Sequence, residues 1–173
     1  MKIRSILAAV MPRITLRFKC IGGIMKVSDV MSQGCLTCKA GDTLHDATQK
    51  MVMRRCGSLP VIDDNDASKL IGIITIRDTM LPLYPNFGEY IHDAKSARDF
   101  EDMEENYKRV MCMKIKDVMT PDPMTVASDT PLLKAASYMG LKNLRRIPVV
   151  DDGKLTGMIS IGDINRGMFI HNG

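Results

Sequence analysis

The sequence predicts an α/β (α+β) fold in which one β-α-β-β-α unit is used twice. Three observations predict it. Three short segments recur in the same order at a nearly constant offset. An apolar stripe of helical period follows the first segment of each set. Two β-branched runs split by turn-forming residues follow each stripe.

The recurring segments are close in sequence. Lys26-Val-Ser-Asp-Val-Met31 returns as Lys114-Ile-Lys-Asp-Val-Met119. Leu59-Pro-Val-Ile-Asp-Asp64 returns as Ile147-Pro-Val-Val-Asp-Asp152, and Gly72-Ile-Ile-Thr-Ile-Arg-Asp78 as Gly157-Met-Ile-Ser-Ile-Gly-Asp163. The offsets are 88, 88 and 85 residues, the small drift that loop insertions produce.

Within each unit the first segment is a short helix leading to an extended stretch near Thr37 or Thr125. The helix that follows has Asp42 or Asp129 as its expected N-cap. Leu44, Ala47, Thr48, Met51 and Val52 define its buried face in the first unit, and Leu132, Ala135, Ala136 and Met139 in the second. The strands are Leu59–Ile62 and Leu70–Thr75, then Ile147–Val150 and Leu155–Ser160. The Asp152-Gly153 step suits a tight hairpin. A last helix is expected near Ile76–Leu81 and near Ile161–Phe169, with Pro82 stopping the first. Between the units, Ser96-Ala-Arg-Asp99 reads as a capping box. Phe100, Met103, Tyr107, Val110 and Met111 then follow a helical spacing. The organisation is a basic segment over 1–24, a first repeat over 25–84, a linker with a helix over 85–112, and a second repeat over 113–170.

Composition narrows the function classes. There is no Trp, and only 5% of residues are aromatic, so the core must be built from aliphatic residues and the 15 Met. The net charge of +4 is localised: Lys2, Arg4, Arg13, Arg17 and Lys19 lie in an acid-free segment, and the other 19 basic residues face 20 acids. That near-neutral body offers no basic stripe for nucleic acid. The first 24 residues read either as an over-extended start before Met25 or as a targeting segment. Their apolar run is too short to span a bilayer. The five Cys are expected as free thiols in a reducing, cytoplasmic setting, or a mitochondrial one if the segment is a transit peptide.

Several chemistries fail on spacing. Cys35-Leu-Thr-Cys38 has zinc or redox spacing, but no second pair completes four ligands. His45, His92 and His171 are scattered without triad partners. Asp63-Asp64-Asn65-Asp66 lacks the terminal Glu of a calcium loop. Neither a phosphate-loop nor a dinucleotide fingerprint occurs. No enzyme activity and no metal or other cofactor is expected.

The doubled Gly-apolar-apolar-Thr/Ser-x-x-Asp element, with the doubled apolar-Pro-Val-apolar-Asp strand, resembles the cystathionine-β-synthase-type (CBS) domain, over about residues 25–170. The resemblance implies a free-standing pair of repeats packed about a pseudo-two-fold axis, two clefts between them, and a flat homodimer. It implies an adenosine-containing ligand: AMP, ADP or ATP, with S-adenosylmethionine or NAD(H) as further options. By this resemblance Asp78 and Asp163 hold ribose hydroxyls, and hydrogen bonds to charged groups are worth about 1.5–3 kcal/mol. The Thr75 and Ser160 hydroxyls suit ribose or phosphate oxygens; the alternative for all four residues is helix capping. The expected adenine walls are Thr37, Cys38, Leu59 and Pro60 in one copy, and Thr125, Val126, Ile147 and Pro148 in the other. Arg145 or Arg146 could meet a phosphate, or could be merely solvated. The implied function is a regulatory ligand sensor acting on an unknown protein effector, without nucleic-acid or membrane partners. The alternative is a dimerisation scaffold with vestigial clefts.

Overall fold

The computed structural model describes residues 24–83 and 100–172. The capping box expected at Ser96–Asp99 and the basic segment before Ile24 lie outside the described residues. A 3₁₀ turn, Val27–Asp29, leads into a two-residue strand, β1 (Ser32–Gln33). There follow β2 (Cys38–Lys39), α1 (Leu44–Arg54), β3 (Ser58–Ile62), β4 (Leu70–Thr75) and α2 (Ile76–Met80). Helix α3 (Phe100–Met111) precedes the second repeat. That repeat comprises a 3₁₀ turn at Ile115–Asp117, β5 (Thr120–Pro121), α4 (Leu132–Lys142), β6 (Arg146–Asp151), β7 (Lys154–Ser160) and α5 (Ile161–Asn172). Among the described residues no helix is long and apolar enough to cross a membrane.

The predicted helical faces are largely those buried: Leu44, Ala47 and Met51 on α1, and Leu132, Ala135 and Met139 on α4. Val52 is an exception, 71% exposed at the edge of its stripe. The caps differ from expectation by one or two residues. Thr43, rather than Asp42, caps α1: its Oγ1 accepts from the Asp46 N–H, and Asp46 Oδ2 accepts from the Thr43 N–H at 3.0 Å. Asp42 instead accepts from the Lys39 N–H and the Lys50 ammonium. Pro131, rather than Asp129, stands at the start of α4. At the β6–β7 hairpin, Asp152 and Gly153 both take positive φ, 50° and 76°, as a two-residue turn of this hand requires.

Two sheets form, in strand order β2-β3-β4-β5 and β1-β7-β6. Each therefore contains a strand from the other repeat. Strand β1 runs antiparallel to β7, and β5 antiparallel to β4. The lead-in turns cross over with them. The Val27 N–H donates to the Thr130 carbonyl and the Ile115 N–H to the Asp42 carbonyl. Val27 is buried in the core around Leu132, Ile147 and Ile159, while Ile115 is buried in the core around Leu44, Leu59 and Ile74. Burying each such side chain stabilises the fold by about 1.5–3 kcal/mol, and here the stabilisation accrues to the opposite repeat.

This crossing explains the signature glycines. A Cβ on Gly157 would stand 2.5 Å from the Ser32 carbonyl oxygen, and one on Gly72 would stand 2.5 Å from Met119 Sδ and 3.1 Å from the Thr120 oxygen. Each glycine clears the path of the lead-in strand arriving from the other half.

Candidate functional site

A cleft of about 780 Å³ opens where the two sheets meet. Its floor is the segment Ser32–Thr37, which leaves β1 on one sheet and enters β2 on the other, turning at Gly34 with φ +61°. One wall is the end of α1 and the start of β3: Arg54, Arg55, Cys56, Ser58, Leu59 and Pro60. The facing wall belongs to the second repeat: Arg146 on β6, Met158 and Ser160 on β7, and Asp163 and Arg166 on α5.

Asp163 is anchored before any ligand arrives. Its Oδ2 accepts from the Ser160 N–H at 2.9 Å and the Ser160 hydroxyl at 2.6 Å, and its own N–H donates to Ser160 Oγ at 3.2 Å. Its Oδ1 lies 3.2 Å from Arg166 Nη2. A carboxylate offers about four lone-pair sites; three are engaged here, so one on Oδ1 remains for a ligand hydroxyl, and a second opens where Arg166 gives way. Asp78 is held identically by Thr75, with Oδ2 2.8 Å from both the Thr75 nitrogen and hydroxyl. Helix capping, weighed above as the alternative role for these four residues, is therefore a task they perform.

The cleft gathers Asp163, Ser160, Arg146, Thr37, Leu59 and Pro60 from both repeats. The grouping is crossed: the carboxylate of the second repeat lines the same cleft as the Leu59–Pro60 segment of the first. Asp78, Thr75, Thr125, Val126, Ile147 and Pro148 stand outside this cleft, as does the exposed Arg145. Cys38 also stands outside it, with its thiol 3.7 Å from the Pro60 carbonyl in the first core. Burial pushes that thiol up to about 12 against the opposing pull of Lys50, so it is a neutral donor. Cys35 does line the cleft, and burial raises its thiol as well.

Sequence reasoning missed Arg54, Arg55, Ser58 and Arg166. Arg54 and Arg55 look like ordinary cations complementing a helix C-terminus. Arg166 had a signal, its i+3 spacing from Asp163. Ser58 lies beside the recognised strand motif, and its buried Oγ finds no hydrogen-bond partner among the described residues.

The family model for the CBS domain matches this chain twice, over residues 27–81 and 115–169. The chain belongs to the CBS-domain family. A curated relative, the uncharacterized protein YlbB of Bacillus subtilis, is 31% identical over 140 residues, covering 81% of this CBS chain and 80% of that protein. The mitochondrial CBS domain-containing protein CBSX3 of Arabidopsis thaliana is 30% identical over 151 residues. That match spans 86% of this chain and just 64% of the plant protein. Among solved structures, CBSX2 in complex with AMP is 30% identical with a TM-score of 0.63, covering 83% of this chain and 96% of that one. The mixed α/β pairing of two CBS repeats described here matches that solved structure.

Proposed function

We propose that the protein is a non-catalytic regulatory module that binds an adenosine-containing nucleotide in this cleft and signals its occupancy to a protein partner. The observation that carries the reading is the crossed cleft, in which a pre-oriented carboxylate, Asp163, shares the lining with the Leu59–Pro60 strand segment of the other repeat. One hydroxyl of a vicinal diol suits the free Oδ1 lone pair of Asp163, and the second can take the place of the Arg166 contact. A flat base suits the first-repeat side of the cleft, along Thr37 and the Leu59–Pro60 backbone. CBSX2 carries AMP in its crystal structure, which supports the same ligand class here. A ligand held between walls from different repeats has different affinity for different inter-repeat angles, and that difference is what a sensor needs.

Isothermal titration calorimetry with AMP, ADP, ATP, S-adenosylmethionine and NADH tests the reading. Saturable micromolar binding of at least one is expected. Asp163→Ala should weaken it about tenfold or more in a folded protein. Unchanged affinity in that variant would remove Asp163 from the ribose role. No heat from the folded chain with any ligand would leave the scaffold reading in its place. Recovery of every nucleotide unaltered after prolonged incubation is the companion result expected of a non-enzyme.

A further inference from the structure

The charge of the cleft is lopsided. Four guanidinium groups, on Arg54, Arg55, Arg146 and Arg166, line it against a single carboxylate, Asp163. Arg166 is the one paired with that carboxylate, at 3.2 Å. Among the described residues, Arg54, Arg55 and Arg146 have no carboxylate partner.

Two details argue that these are more than solvated surface cations. Arg55 occupies the left-handed C-cap of α1 with φ 50°, a conformation that favours Gly or Asn. The equivalent position in the second repeat is Asn143, with φ 52°. The first repeat thus keeps a long cationic side chain where the backbone prefers a short one, at the lip of the cleft. Arg146 crosses the seam between the repeats. A Cβ on Gly57 would lie 2.8 Å from its Nη1, so the guanidinium rests on first-repeat backbone that only glycine leaves open. Its counterpart in the first repeat is Ser58, so both members of this equivalent pair line the same cleft and the second repeat contributes the charge.

We infer that the cleft is built for a nucleotide carrying two or more phosphates in preference to a monophosphate, an inference that rests on the adenylate-binding reading above. A phosphate monoester brings about two negative charges near neutral pH. That leaves part of the three-charge surplus in the cleft unmatched, and each further phosphate extends the match. Guanidinium groups suit this task because their planar forks meet phosphate oxygens in pairs.

The test is calorimetry on the full chain with adenosine, AMP, ADP, ATP and inorganic tripolyphosphate, at fixed ionic strength. ADP or ATP should bind at least tenfold more tightly than AMP. The double variant Arg54→Gln/Arg55→Asn, which also relieves the left-handed cap, should lose most of that margin, with a much smaller loss for AMP and a Tm that holds or rises. Arg146→Ser should lose it in the same way. Equal affinity for AMP, ADP and ATP would overturn the inference and leave the adenylate reading standing. A uniform loss for every ligand in the variants would overturn it too, since the arginines would then not be reading the added phosphates. Binding of no adenosine compound would end both readings. Tripolyphosphate binding as tightly as ATP would show a site with no base requirement, again against the proposal.

Discussion

Asp163 and Ser58 show how a single residue can serve fold and site together. Asp163 holds the first turn of α5 through Ser160, and the same bonds fix the direction of its Oδ1. Such a carboxylate is already oriented when a ligand arrives, and only its Arg166 contact must adjust. Ser58 is the reverse case, a buried hydroxyl whose Oγ is without a partner among the described residues, on the wall of the cleft. An unsatisfied buried hydroxyl costs about 1–3 kcal/mol, and a ligand that shifts this wall enough to reach the Oγ relieves that cost. Ser58→Ala should therefore move two quantities in opposite directions. The Tm of the free protein should hold or rise, and nucleotide affinity should fall about three- to tenfold. A Tm that falls together with unchanged affinity in calorimetry would show the hydroxyl to be structural. Asp163 was legible because its motif is doubled. Ser58 and Arg55 were not, because an exchanged wall and a left-handed cap have no local sequence signal.

At the scale of elements, α1 and α4 were legible from their stripes, and β3, β4, β6 and β7 from their β-branched runs. Strands β1 and β5 were not, since two residues have no period. Their partners leave a trace in the glycines of the signature, which stand where these strands cross. Gly157→Ala should therefore act as overpacking against backbone, at a cost of about 1–3 kcal/mol. In a domain of this size that lowers Tm by about 3 °C or more, readable by thermal denaturation. Because the clash is with the oxygen of Ser32, which lines the cleft, affinity should fall as well. An unchanged melting curve would mean that the strand crossing is looser than the 2.5 Å approach indicates.

For the whole molecule, the repeat itself was plain in the sequence but the exchange was not, and the reason is the symmetry. Lys26–Met31 and Lys114–Met119 are so alike that motif matching cannot tell which core each completes. The same ambiguity hid the crossed cleft, because either Asp could have faced either Leu-Pro or Ile-Pro wall. The exchange predicts that residues 25–84 alone will not fold: the fragment carries Val27 without its core and a core without Ile115. Circular dichroism should show no cooperative melt for it, and a sharp transition would refute the dependence.

The exchanged lead-ins also bear on how such a chain is inherited. Each half of the gene encodes a piece of the other half's interior, so a substitution near Val27 is judged by selection on the folding of the second repeat. The halves are free to diverge at their surfaces, as Arg55 and Asn143 have, but neither can be deleted or swapped alone without leaving its sibling incomplete. The unit that recombination can move is the pair.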